Sequence, residues 1–454
     1  MGLGLGSDTL MKICFVSLGC DKNLVDTEKM LGILNSEGYE LTDDEESADA
    51  VIVNTCCFIH DAKKESIETL LQLSEMKQNG NLKFLIAAGC LAQRYKDEII
   101  KEIPEVDAVI GTYACGEIAA VIRSLENREK GLVRTGDRYE DHGDIPRMRS
   151  SISHYSYLKI AEGCDKRCTY CIIPYIRGTY RSEPMERLVD EARRLADSGV
   201  NELILVAQET TIYGSDIYGK NMIGELIDRL CSIEGIRWIR IMYCYPEEIG
   251  EELINAFKKQ PKLCRYIDMP IQHISDRILQ RMGRRTNGTQ IRNMIERLRR
   301  EAPGIAIRTS LIAGFPGETE EDHRELVKFI EDYKLDRVGV FTYSREEDTP
   351  AAKMKDQIRE TVKKKRRKEL MLAQQKVVFE KNEALKDRVF TVMIDGKISG
   401  EDVYIGRTYM DAPDIDGSVF VESGKDLISG TLLNVRIRDY NGYDLIGTEV
   451  EEDL

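Results

Sequence analysis

The segment EGCDKRCTYC, residues 162–171, carries Cys164, Cys168 and Cys171 in the spacing Cys-x-x-x-Cys-x-x-Cys. Three thiolates so spaced suit an iron–sulfur cluster better than a structural zinc, which wants four protein ligands, usually at two- or four-residue spacings. A cubane held by three cysteines keeps one iron with an open coordination position. A catalytic centre needs that position and an electron-transfer cluster does not. The competing reading is a closed structural site that recruits a fourth cysteine from elsewhere.

A second set is dispersed. Cys20 follows the apolar run KICFVSLG, Cys56 follows DAVIVNT and Cys90 follows KFLIAAG. Each run reads as a strand, so each cysteine falls at a strand's carboxyl end. Parallel strands share one edge, and ligands bind there at the crevice of an open α/β sheet. Three thiolates converging on that edge predict a second three-cysteine cluster; the alternative is that each is a small core residue. The remaining Cys14, Cys57, Cys115, Cys231, Cys244 and Cys264 read as core or incidental, with Cys57 ambiguous beside Cys56. Twelve cysteines in 454 residues without a secretory signal point to metal binding rather than disulfides.

The elements that must position these sulfurs fall into three parts, consistent with the length. Residues 11–140 alternate near-continuous apolar strands with amphipathic helices, predicting a doubly wound parallel α/β domain. After a polar linker, residues 150–384 hold six strand candidates (157–163, 202–209, 237–245, 266–272, 306–315 and 336–344) separated by helical patterns. Six βα units predict a barrel or incomplete barrel with its site at the strands' carboxyl ends, followed by a charged helix. Its KKKRRK run at 363–368 reads as a solvated face or as a contact with RNA or another acidic surface. Residues 385–454 are short strands punctuated by Gly, Asp and Asn, the pattern of a small antiparallel β-barrel. That last part has seven basic and fifteen acidic residues, and the whole chain is −14. Such a surface repels phosphate and draws a basic partner. No apolar run reaches the length of a membrane span. The start MGLGLGSDTL lacks the flank and apolar core of a secretory signal, and Met11 is an alternative start.

The Cys164 motif resembles that of the radical S-adenosylmethionine (SAM) superfamily, in which the open iron chelates SAM. The resemblance implies reductive cleavage of SAM to a 5′-deoxyadenosyl radical and an adenine contact from the aromatic residue before the last cysteine, here Tyr170. GCDKNLVDTE, NTCCFI, GCLAQRY and EGCDKRCTYCIIPYIRG together resemble the methylthiotransferases over nearly the whole chain, and the terminal barrel resembles their TRAM domain. The family implies two 4Fe-4S clusters, with Cys20, Cys56 and Cys90 holding the second as sulfur carrier. Its branches modify an adenosine of tRNA or an aspartate of the small-subunit ribosomal protein S-twelve. KIAEGCDKRCTYCIIP, LILVAQETTIYGSD and DMPIQHISDRIL resemble the protein-modifying branch. Gln272, His273, Ile274 and Ser275 replace the Gln-Ser-Gly-Ser frequent in the tRNA branch. The acidic barrel argues the same way, against tRNA and for a basic ribosomal protein. The target is then an unactivated sp³ C–H that no side-chain base removes as a proton, whereas a cofactor radical removes it as an atom.

Two further SAM contacts are expected from position: Gln208 as a hydrogen-bonding group and Arg308 as a charged fork for the SAM carboxylate. Each has a competing reading as a barrel-layer residue or internal salt bridge. The turn GFPGE after Ile312 bares backbone near the barrel mouth. Of His60, His142, His154, His273 and His323, only His273 is placed to reach the site. The resemblance further implies a flavodoxin- or ferredoxin-like electron donor and a cytoplasmic enzyme. A non-catalytic iron–sulfur electron carrier is the rival from another class; the six βα units count against it.

Overall fold

The computed structural model describes residues 11–80, 82–136, 143–151 and 153–451. Residues 1–10 and His142 lie outside them. The chain forms two compact units: residues 11–151 with Cys171–Thr179, and Ser153–Tyr170 with the chain from Tyr180 onward.

The first unit is built on six strands: β1 (Lys12–Ser17), β2 (Glu40–Thr42), β3 (Ala50–Thr55), β4 (Phe84–Ala88), β5 (Val106–Ile110) and β6 (Leu132–Arg134). All pair in parallel, in the order β2-β1-β3-β4-β5-β6. Every residue of β3 and β5 is buried, because helices cover both faces. The chain order reverses between β1 and β3, and a doubly wound sheet opens a ligand crevice at that point. The short edge strands β2 and β6 carry no apolar run long enough to read from sequence.

The second unit begins with β7 (Tyr155–Lys159) and the two-residue pair β8 (Ala161–Glu162) and β9 (Arg181–Ser182). It continues through β10 (Glu202–Val206), β11 (Trp238–Ile241), β12 (Leu263–Asp268), β13 (Ala306–Ala313) and β14 (Arg337–Thr342). Strands β7 and β10 to β14 form one open parallel sheet in chain order, an incomplete (βα)6 barrel. Alternation sends Leu203, Leu205, Ile239, Ile241 and Ile267 to the helix side, where they join the main core. Ile204, Val206, Trp238, Tyr266 and Ala306 face inward and pack on Met393 and Ala412. One expectation needs correction here. The fourth strand lies at 263–268 rather than 266–272, because Pro270 cannot continue the ladder and Leu263 and Cys264 are buried ahead of it.

The helix Glu360–Glu383 closes this part. Its basic run is neither a fully solvated face nor a free patch. Lys363 donates to the Tyr343 carbonyl at 2.8 Å and Arg366 to Glu318 at 3.0 Å, both buried, while Lys364, Lys365, Arg367 and Lys368 are exposed. Helical periodicity sends positions 363, 366 and 370 inward together.

Strands β15 (Val389–Lys397), β16 (Val403–Arg407), β17 (Val419–Glu422), β18 (Leu432–Asn441) and β19 (Asp444–Glu449) close into a barrel in the order β15-β16-β17-β19-β18. It is not wholly antiparallel: β17 and β19 run parallel. Part of its acidity is spent internally. Asp411 pairs with Arg337, Asp416 with Arg308 at 3.4 Å, and Asp395 with Arg407 at 2.9 Å. Among the described residues no helix is long and apolar enough to cross a membrane.

Candidate functional site

In the first unit, Cys20 caps the start of the helix Asp21–Ser36, Cys56 directly follows β3, and Cys90 lies in the first turn of the helix Gly89–Tyr95 after β4. All three expected cysteines therefore stand at the carboxyl edge, two of them flanking the β1/β3 reversal. Cys20 is exposed, whereas Cys56 and Cys90 are buried. Asn23 joins their loops. Its amide donates to the carbonyls of Leu18 and Thr55 at 3.0 Å each, and its oxygen lies 3.5 Å from the Cys90 sulfur. Gly19 has φ +93°, and a Cβ there would come within 2.6 Å of the Cys56 Cβ.

Burial pushes the Cys56 and Cys90 thiols up, and the Arg177 guanidinium pulls both back down. Arg177 belongs to the segment that folds with this unit; it is 2% exposed and donates to the Cys90 sulfur at 3.3 Å and to Asp26 at 2.6 Å. Neither Asn23 nor Arg177 was foreseen from sequence. Cys57 is packed in the apolar core beneath.

Among the described residues no group of three or more His, Cys, Asp or Glu is drawn tightly enough to grip a single metal ion. A cubane asks for something looser, since each thiolate binds a different iron. Three sulfurs at one crevice, one of them open to solvent, with a buried cation beside another, fit that demand.

In the second unit, Cys164 and Cys168 follow β8 in a loop that turns on Gly163 (φ +79°) and Arg167 (φ +51°). Both are buried and lie close to each other. Burial pushes the Cys164 thiol up to about 11, against hydrogen bonds from the Lys166 backbone and the Tyr245 side chain. Cys171 is half-buried and opens the segment Cys171–Thr179 of the other unit. The loop Arg281–Arg284 clasps the cysteine loop. Thr169 donates its N–H to the Met282 carbonyl at 2.9 Å and its hydroxyl to the Arg281 carbonyl at 2.8 Å.

Tyr170 meets Phe315 of the GFPGE turn edge-on, with centroids 6.4 Å apart, and packs near Ile312. Gln208 donates to Glu162 at 2.7 Å, and its carbonyl oxygen is buried without a hydrogen-bond partner. Both therefore stand beside the cysteine loop. Arg308 does not. It is the third residue of β13, pairs with Asp268 at 2.7 Å and with Asp416, and so serves as an internal salt bridge. Inward alternation put it in the lumen, but below the mouth.

The cation at the mouth is Arg284. It is 7% exposed and lies 4.3 Å over the Tyr245 ring. One nitrogen donates to the Pro270 carbonyl at 3.0 Å, while Nε and Nη1 are buried without a partner. Tyr170, Tyr245, Cys168 and Glu247 surround it. A buried guanidinium with idle donors suits an absent anion. It lies between the helices Asp276–Arg281 and Gly288–Glu301, where the sequence pattern carried no signal for it.

His273 is a second correction. It is wholly buried, accepts from the Ser275 N–H at 3.0 Å, and its other nitrogen lies 3.9 Å from Glu318. It supports the turn from behind rather than lining the mouth.

A loop bearing Cys164 and Cys168 at the mouth of an incomplete (βα)6 barrel defines a class. Residues 158–330 match the Radical SAM superfamily, residues 12–111 match a family described as Uncharacterized protein family UPF0004, and residues 388–450 match the TRAM domain. The fold is shared with the radical SAM methyltransferase TsrM from Kitasatospora setae (TM-score 0.53, 17% identity, 75% of this chain and 76% of that one). It is shared also with OxsB (TM-score 0.55, 14% identity, 76% of this chain and 54% of that one). Much nearer in sequence are proteins named ribosomal protein uS12 methylthiotransferase RimO. That of Lachnoclostridium phytofermentans is 57% identical over 96% of this chain and all of its own length. Those of Acetivibrio thermocellus and Clostridioides difficile are 50% and 48% identical, over 97% and 98% of this chain and 99% and 100% of their own. The chain belongs to the RimO family of radical SAM methylthiotransferases. Membership implies a 4Fe-4S cluster and SAM as its working groups.

Proposed function

We propose that this enzyme inserts a methylthio group at the β-carbon of an aspartate in ribosomal protein uS12. The observation that carries the reading is the pair of cysteine sets, each at strand carboxyl ends, in a chain of this family. Cys164, Cys168 and Cys171 are assigned to the SAM-cleaving 4Fe-4S cluster, and Cys20, Cys56 and Cys90 to a second cluster that holds the sulfur. When bound, these groups supply a 5′-deoxyadenosyl radical that takes a hydrogen atom from carbon, and the sulfur that replaces it.

The chain's own residues bind and orient. Tyr170 offers an aromatic face beside Ile312 and Phe315 for adenine. Gln208 offers its idle carbonyl oxygen to a donor on the cofactor. Arg284, not Arg308, presents the charged fork to the SAM carboxylate, with the Tyr245 ring fixing its plane. Lys166, buried against Glu248 and 3.6 Å from Glu209, keeps two carboxylates compensated beside the cysteine loop. The enzyme acts in the cytoplasm and takes its electron from a flavodoxin- or ferredoxin-like donor.

Anaerobic reconstitution, followed by incubation with SAM, dithionite and either uS12 or tRNA, tests the reading. The expected result is a methylthio mass gain on one aspartate of uS12. Gain on a tRNA nucleoside alone overturns it.

A further inference from the structure

The geometry points to Arg177 as a positioning residue whose fixed charge sets the redox poise of the N-terminal centre, an inference that rests on Cys20, Cys56 and Cys90 being cluster ligands. The guanidinium is held on three sides. It donates to Asp26 at 2.6 Å, to the Asn23 amide oxygen, and to the Cys90 sulfur at 3.3 Å. Its backbone is fixed as well: Ile172 and Ile176 pack in the core under the sheet, and the Ile176 carbonyl accepts from Thr112 at 2.7 Å. Arg177 is thus a built-in neighbour of the sulfur rather than a passing surface side chain.

Two features separate this contact from ordinary packing. A thiol is a weak acceptor, and spending a buried guanidinium N–H on one is poor economy; on an anionic, metal-bound sulfur the same bond is charge-assisted and strong. Asp26 takes Nη1; Nη2 serves both the Cys90 sulfur and the oxygen of Asn23, which bridges the Cys20 and Cys56 loops. One cation therefore ties the sulfur of Cys90 to the residue that holds the other two loops in register.

Hydrogen bonds to ligand sulfurs and nearby net charge are the main protein levers on cluster potential. A permanent positive charge against Cys90 stabilises an added electron and so raises the potential. It also holds the Cys90 side chain in its ligating position. Arg177 lies six positions after Cys171, in the stretch Cys171–Thr179, so the segment that begins with a ligand assigned to one centre ends by serving the other.

The test uses the full chain with Cys164, Cys168 and Cys171 changed to Ala, reconstituted anaerobically with iron and sulfide so that only the N-terminal set binds. Midpoint potential is read by EPR-monitored potentiometry with dithionite, and iron release by transfer to a chelator. In R177Q the midpoint is expected to shift to more negative values, and retention of iron to weaken about ten- to hundredfold. R177K keeps the charge without the fork, and its shift is expected to be smaller. Equal midpoints in parent, R177Q and R177K overturn the inference while leaving the ligand assignment intact. Should R177Q take up no iron, R177M, equally uncharged, decides: a lowered midpoint supports the role, an unchanged one overturns it, and failure of both to bind iron makes Arg177 an assembly residue and overturns the redox role. A parent that binds no iron overturns the ligand assignment and the inference with it.

Discussion

Burial decides the protonation of His273. The imidazole has no exposure and faces Glu318, Asp322 and His323 together with Arg277 and Arg366. Removal from water pushes its pKa down to about 3, and only Asp322 among the largest influences opposes this. The folded chain therefore keeps His273 neutral where the unfolded chain protonates it. Its contribution to stability is fully present above the ordinary pKa of 6.5 and is lost as the pH falls toward 3. Between pH 7 and pH 5 the wild-type chain should lose about 2 kcal/mol relative to H273Q. Urea unfolding of the metal-free protein, followed by the fluorescence of its single tryptophan, Trp238 on β11, measures the difference. A wild-type-minus-H273Q difference that stays constant over that range would contradict the burial argument. The residue also shows a limit of reading sequence alone. Its place near a strand end was visible, but the direction of its side chain was not, because Pro270 ends the strand early and Gln272 adopts φ +70°.

At the scale of elements, the carboxyl edges of β1, β3 and β4 do most of the work. Strand periodicity and flanking glycines made those edges legible in the sequence, and with them the convergence of Cys20, Cys56 and Cys90. What remained hidden were groups delivered by long-range packing. Arg177 follows the barrel motif in sequence yet folds with the other unit, and Arg284 enters from a loop whose path depends on the cysteine loop it clasps. Neither placement follows from local pattern. The legible part carries its own test. Gly19 must hold a positive φ while standing against Cys56, so G19A adds both backbone strain and an overlap with Cys56. The expected result is loss of most of the iron from the N-terminal set, with a stability cost of about 1–3 kcal/mol. Iron analysis of G19A in the background lacking Cys164, Cys168 and Cys171 reads this directly. Full iron occupancy would mean that the Gly19 turn does not position Cys56.

At the largest scale the second unit joins an open barrel to a closed one through buried charge. Glu202, with no exposure, pairs with Arg240 at 3.0 Å and with Arg407 of β16 at 2.8 Å. Arg407 reaches Asp395 as well, and Asp395 accepts from His154 at 2.9 Å. Arg308 with Asp416 and Arg337 with Asp411 repeat the pattern on neighbouring strands. These pairs take three acids and one base of the terminal barrel out of its exposed balance, so the surface is less acidic than composition implies, though still acidic. Such pairs do little for stability when intact but are costly to break from one side, because the surviving charge stays buried. R407M leaves Glu202 with Arg240 alone and Asp395 with His154 alone, an excess of one negative charge, and should destabilise the unit by about 3–5 kcal/mol. Adding D395N removes the excess charge while Glu202 keeps Arg240, and should recover part of that loss. Trp238 packs against Met393 and Ala412 at this junction, so its fluorescence reports the same transition. A loss in R407M of only about 0–1 kcal/mol, the range of an exposed pair, would mean that water reaches the junction and that the two barrels are joined by their apolar contacts instead.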